Sequence, residues 1–206
     1  MANLDAFLPD LDESVVEHML VAAVPAATAA ALRRAQVSGD RVLGPLGALT
    51  DLDERFGGAA AQPKSIDELL GPSLGFAVLA DETNGALVSG LALRYSPFER
   101  HVERLEAAAF AGFDEPGYVK LVVAFTPSPQ PEGDTLLTGE VRVRATDDDT
   151  RSTLHTTWFA VGPGLRLLVR RLLDLAKTEA EGSGPERGER RDAAGDHDDA
   201  GDLHPA

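Results

Sequence analysis

The chain has 206 residues, a formal charge of −15 and no cysteine. That length supports one domain with a full hydrophobic core, and the missing cysteines exclude disulfides, thiolate nucleophiles and thiolate metal sites. The acidity opposes non-specific binding to nucleic acid and to anionic lipid surfaces. The hydrophobic fraction is 43% but only 5% is aromatic, so Ala, Val and Leu have to build most of the core. Met1 to Asp12 carries three acids and no base, unlike a secretory leader. No apolar run approaches the length of a membrane span. The expectation is a soluble, cytoplasmic protein without integral membrane association.

Glu13 to Ala23 reads as the first strand, with Val16, His18, Leu20 and Ala22 on one face and Val15, Glu17, Met19 and Val21 on the other. Pro25 then stands where a helix opens, and an alanine-rich run follows to Arg34. Val42 to Thr50 is apolar but broken by Gly44-Pro45 and Gly47, which suits neither a long helix nor a central strand. Gly57 to Lys64 is small, polar and turn-rich, and predicts a mobile loop over 57–64.

Leu74 to Ala80 and Ala86 to Tyr95 form a predicted hairpin around Asp81-Glu82-Thr83-Asn84-Gly85, where Asn-Gly tolerates positive φ. Leu105 to Phe110 is a short helix. Tyr118 to Phe125 and Thr135 to Arg144 form a second hairpin across a proline-rich loop, Thr126 to Asp134. On it, Val119, Leu121, Val123 and Phe125 share one face, and Leu137, Val141 and Val143 share the matching face of the partner. Tyr118, Lys120, Thr138, Glu140, Arg142 and Arg144 fall on the other side, expected to be at least partly wet.

Ser152 to Val161 supports two readings. Its Thr, Trp, Phe and Val content suits a strand. Thr146 followed by three aspartates suits a helix start, and Leu154, Trp158 and Val161 fit helical spacing, which favours the helix. Pro163-Gly164 then breaks it from a second helix, in which Leu165, Leu168, Val169, Leu172, Leu175 and Ala176 make an apolar stripe. From Glu181 to Ala206 the chain has eight acids, three arginines and a single large apolar residue, Leu203. Such a segment cannot offset its ordering entropy by burial, and the expectation is a disordered acidic tail.

In this order the chain resembles the START-like helix-grip superfamily (SRPBCC), and within it the polyketide cyclase-like proteins of actinobacterial type. The resemblance is carried by Leu8-Pro9-Asp10-Leu11-Asp12 before a strand containing His18, and by Val24-Pro25 opening a helix. It continues through Phe110 to Lys120, with its Phe113-Asp114-Glu115-Pro116-Gly117-Tyr118 centre, and through Glu140 to Asp147. Trp158 with Pro163-Gly164 and the closing helix complete it. It departs around Ser152 to Trp158, where an arginine-rich segment is usual and threonine dominates here, and in overall charge.

The resemblance implies an α+β helix-grip fold over 1–180, a curved antiparallel sheet wrapped around a long C-terminal helix. It also implies an apolar cavity between them that holds a hydrophobic small molecule, lipid- or polyketide-like. The residues implied to line that cavity are Val119, Leu121, Val123, Phe125, Val141, Trp158, Leu165, Leu168 and Leu172.

No constellation of residues spells out a reaction. The sequence lacks a nucleotide-binding glycine loop, and His18, His101, His155, His197 and His204 are scattered rather than at metal spacing. Neither a cofactor nor a metal is expected. His18 and His155 are the acid–base candidates, since imidazole titrates near neutral pH, against the simpler reading of surface histidines. Lys120, Glu140 and Arg142 read most simply as a cross-strand charge cluster on the solvent face. Asp147 to Asp149 read as a helix start rather than a cation site, and His197-Asp198-Asp199 as part of a solvated tail. Tyr95 and Trp158 fit a cavity mouth or the core. The functional expectation is carriage of a hydrophobic molecule without catalysis. A cyclase or dehydratase using the same cavity is the alternative, and a partner-binding module with an acidic contact the third.

Overall fold

The computed structural model describes residues 4–37, 65–81, 85–95 and 100–183. The expectations for Val42 to Thr50, for 57–64, for the centre of the Asp81–Gly85 turn and for the tail beyond Ser183, His197 and His204 included, lie outside the described residues.

The elements in chain order are β1 (Glu13–Val21), α1 (Pro25–Arg34), α2 (Ile66–Leu69), β2 (Ala77–Asp81), β3 (Leu87–Tyr95), β4 (Arg100–Glu103), α3 (Ala107–Phe110), β5 (Tyr118–Pro129), β6 (Thr135–Ala145) and α4 (Asp148–Gly182). The strands form one six-stranded antiparallel sheet in the order β1-β6-β5-β3-β2. β2 pairs with Leu87–Gly90 of β3 and β4 with Ala92–Tyr95, so the two short strands follow one another along the same edge of β3. α4 crosses the concave face of the sheet, and α1 packs beside it through the buried Thr28, Ala29, Ala31 and Leu32. This is the helix-grip architecture expected from the sequence.

Three local expectations are corrected. The loop placed at Thr126 to Asp134 is shorter than expected: β5 continues to Pro129, paired with β6 from Thr126↔Thr138 to Pro129↔Thr135. β3 reaches only as far as Phe125, so beyond it β5 is an edge strand, where proline is tolerated. Pro163-Gly164 does not break the C-terminal region, because α4 runs 35 residues straight through Pro163. Proline there leaves the Phe159 carbonyl without its intrahelical partner. Pro163 and Phe159 both face solvent, Phe159 at 91% exposure, so the turn is one where solvent can satisfy the freed carbonyl.

The third correction concerns the convex face. It is covered, not wet, around Tyr118 and Lys120. A 3-10 turn at Leu4–Ala6, with Leu8, and α3 with Phe110 close over Val88, Val122 and Ala124 in a second small core. Lys120 is 1% exposed. Its ammonium donates to the Ala111 carbonyl at 3.0 Å and sits 5.0 Å from the Phe110 ring centre. Burial pushes its pKa below the usual lysine range, with Arg144 adding to the effect and Asp114 opposing it. Gly90 makes room for this cover, since a Cβ there would stand 2.7 Å from the Phe110 ring.

Candidate ligand-binding cavity

α4 meets the sheet closely at one end only. At Gly139 of β6 a Cβ would lie 2.7 Å from Val169 Cγ1, 3.1 Å from Phe125 and 3.4 Å from Leu173, so the missing side chain is what lets the helix seat there. Toward the start of α4 the facing residues are larger, and helix and sheet enclose a cavity of about 170 Å³.

Each wall follows from a simple periodicity. The sheet contributes alternate residues of its concave face: Leu91, Leu93 and Tyr95 from β3, Val102 from β4, Val119, Leu121 and Val123 from β5, and Val141 and Val143 from β6. α4 contributes Leu154, Trp158, Val161, Leu165, Leu168 and Leu172, at alternating intervals of four and three, with Val169 beside them. Leu69, Leu70, Leu74 and Phe76, around α2, close the third side. The partly exposed wall residues Leu93, Tyr95, Val102, Leu121, Trp158 and Val161 gather where the β3–β4 end faces the first half of α4, and mark the mouth.

Eight of the nine residues expected to line the cavity do so: Val119, Leu121, Val123, Val141, Trp158, Leu165, Leu168 and Leu172. Phe125 does not. It lies on the right face but is fully buried beside Gly139, past the point where helix and sheet touch. The sequence reading missed Leu91, Leu93, Val143, Leu154 and Val161, all of which the strand and helix periods could have supplied. It also missed β4 and the Leu69–Phe76 wall, whose short segments carry no period.

The wall is nearly free of polar groups, and none of its described residues is charged. Tyr95 is hydrogen-bonded through its hydroxyl to Thr157 Oγ1 of α4. The histidines lie elsewhere. His18 is exposed, its Nδ1 3.0 Å from Thr138 Oγ1, and His155 is exposed on the flank of α4, its Nδ1 2.8 Å from Glu13 Oε1. Glu140 and Arg142 pair at 2.6 Å, with Arg142 also 2.5 Å from Asp5. The charge cluster therefore exists without Lys120, which belongs to the convex core. Asp147 caps α4 as expected of a helix start, accepting the Thr150 N–H at 2.9 Å. Among the described residues no group of three His, Asp or Glu is placed to hold a metal ion, and no helix is long and apolar enough to cross a membrane.

No family model and no curated protein matches the chain. Solved structures give weak full-length likenesses. TTHA0849 from Thermus thermophilus shares 10% identity over 84% of this chain and 100% of its own, with a TM-score of 0.35. Protein MLL2253 from Mesorhizobium loti shares 20% identity over 77% and 98%, with a TM-score of 0.31. The Zhui aromatase/cyclase from Streptomyces sp. R1128 shares 13% identity over 84% and 98%, with a TM-score of 0.27. Likeness at these levels carries neither a family nor a function to this chain.

Proposed function

We propose that this protein binds and carries a small hydrophobic molecule in the cavity between α4 and the sheet, and that it does so without catalysis. The observation that carries the reading is the cavity itself: about 170 Å³ walled by aliphatic and aromatic side chains. A void of that size is costly to leave empty, and a dry apolar one binds apolar molecules. A cyclase or dehydratase needs an acid or base within reach of a bound carbonyl. His18 and His155 are both exposed and neither lines the wall, whose hydroxyl is that of Tyr95. Placement of the chain among the polyketide cyclase-like SRPBCC proteins is part of the same proposal and rests on the ordered sequence motifs.

The test is native mass spectrometry of the purified protein together with calorimetric titration of naphthalene. A retained apolar molecule, or saturable naphthalene binding, is expected. Val123→Trp should weaken naphthalene binding by about tenfold or more by filling the space, and His18→Gln should leave it unchanged. Absence of both a retained molecule and naphthalene binding would overturn the reading. Turnover of a polyketide-like substrate that depends on His18 or His155 would replace it with the enzymatic alternative.

A further inference from the structure

The polar side-chain atoms of the described wall are the Tyr95 hydroxyl and the Trp158 indole nitrogen, and the hydroxyl is partnered by Thr157 of α4. Thr157 Oγ1 lies 2.9 Å from the Thr153 carbonyl and 3.1 Å from the Leu154 carbonyl. Both carbonyls can take its single proton. With that proton on its own helix, the hydrogen bond between Tyr95 and Thr157 runs from the Tyr95 O–H to Thr157. Tyr95 has spent its proton and keeps its oxygen lone pairs, so toward the cavity it is an acceptor. Trp158 supplies the other polar atom of the wall, but its nitrogen edge lies along its own helix, where a Cβ on Gly162 would stand 3.1 Å from Nε1. None of the described wall residues carries a charge that could pair with an ionised ligand.

We propose that the cavity selects a neutral molecule of one or two rings carrying a hydroxyl, which donates to the Tyr95 oxygen at the mouth, and that it rejects carboxylates. This deepens the carrier reading and rests on it. Size follows from the volume, since a cavity of about 150 Å³ accommodates benzene. Rejection of anions follows from the cost of burying an unpaired carboxylate. Preference for a donor over an acceptor follows from the Thr157 proton, because a ligand that only accepts would have to displace the Tyr95–Thr157 bond.

The experiment is calorimetric titration, at neutral pH, of naphthol, its methyl ether and naphthoate. These share one ring system and differ in donor and charge. Naphthol should bind about 3- to 10-fold more tightly than the ether, and naphthoate at least about 10-fold more weakly than naphthol. In Tyr95→Phe the preference for naphthol over the ether should vanish while the ether binds as before; loss of packing alone would weaken both together. The proposal is overturned if the ether or naphthoate binds as tightly as naphthol, or if Tyr95→Phe keeps the naphthol preference. In each of those results the carrier reading still stands, because the cavity has been filled. Failure of all three probes would overturn the carrier reading itself.

Discussion

Asp147 gathers three hydrogen bonds on one carboxylate. Oδ1 accepts the Thr150 N–H at 2.9 Å; Oδ2 accepts the Thr150 hydroxyl at 2.7 Å and the Gly117 N–H at 2.6 Å. The first is a helix cap. The last ties the start of α4 to the turn before β5, and so fixes the helix over the sheet. The backbone N–H groups of Thr150 and Gly117, then the Thr150 hydroxyl, hold the Asp147 pKa at about 2. Because the folded value lies below that of an ordinary aspartate, this group's stabilisation is complete above about pH 4 and is lost as pH falls toward the folded value. Asp147→Ala is expected to cost roughly 1–2 kcal/mol at neutral pH. Denaturant melts of the two proteins should converge as the pH falls below about 4; a gap that persists undiminished in acid would contradict the cap. The acidic run after Thr146 announced a helix start in the sequence, but the bond to Gly117 did not, since its partner lies 30 residues away. Lys120 illustrates the same limit. A lysine in a strand reads as solvent-facing, and only the cover formed by Phe110 and the N-terminal turn makes it buried.

At the scale of elements, α4 decides the site. Its apolar stripe was legible at its C-terminal end, because Leu165, Leu168 and Leu172 repeat with the helix period, and so was its kinship to Leu154, Trp158 and Val161. Its continuity was not legible, because Pro163 locally opposes a helix and tertiary packing overrides that preference. The penalty remains in the folded protein. Pro163→Ala restores an N–H for the Phe159 carbonyl on an exposed turn and is expected to stabilise the protein by about 1 kcal/mol or more. A rise in the melting temperature would show it, and a fall would mean that the proline geometry is needed to aim Trp158 and Val161 into the cavity. Leu172 tests the grip of the same helix. It is 3% exposed in the main core and is the last α4 residue of the cavity wall, so Leu172→Ala should cost about 2–5 kcal/mol. A loss near zero would mean that the helix does not hold the sheet. The hairpins were legible from alternation and turn residues, whereas β4, four residues long, carries too little pattern to stand out and forms because β3 offers it an unpaired edge.

For the whole molecule, charge and core are divided along the chain. The acidic segment from Glu181 onward has little apolar surface with which to stabilise anything, although α4 itself extends to Gly182. A chain ending at Ser183 is expected to melt at the temperature of the full chain; a clear drop would show that the acidic segment docks on the domain. Hydrophobic alternation, helix period and the turn and cap residues were enough to specify a first strand, two hairpins and a closing amphipathic helix, because each of these is a local property of consecutive residues; their arrangement as a curved sheet around that helix was implied by the family resemblance. The resemblance also implied most of the cavity wall, on strand and helix faces that repeat every two and every 3.6 residues. What the tertiary structure alone decided is where the two faces part. That depends on one glycine at position 139 letting the helix touch the sheet, on Phe125 falling inside that contact, and on Tyr95 meeting Thr157 across 62 residues. Such pairings join residues far apart in the chain, and their distances are set by how whole elements pack rather than by any pattern along the sequence.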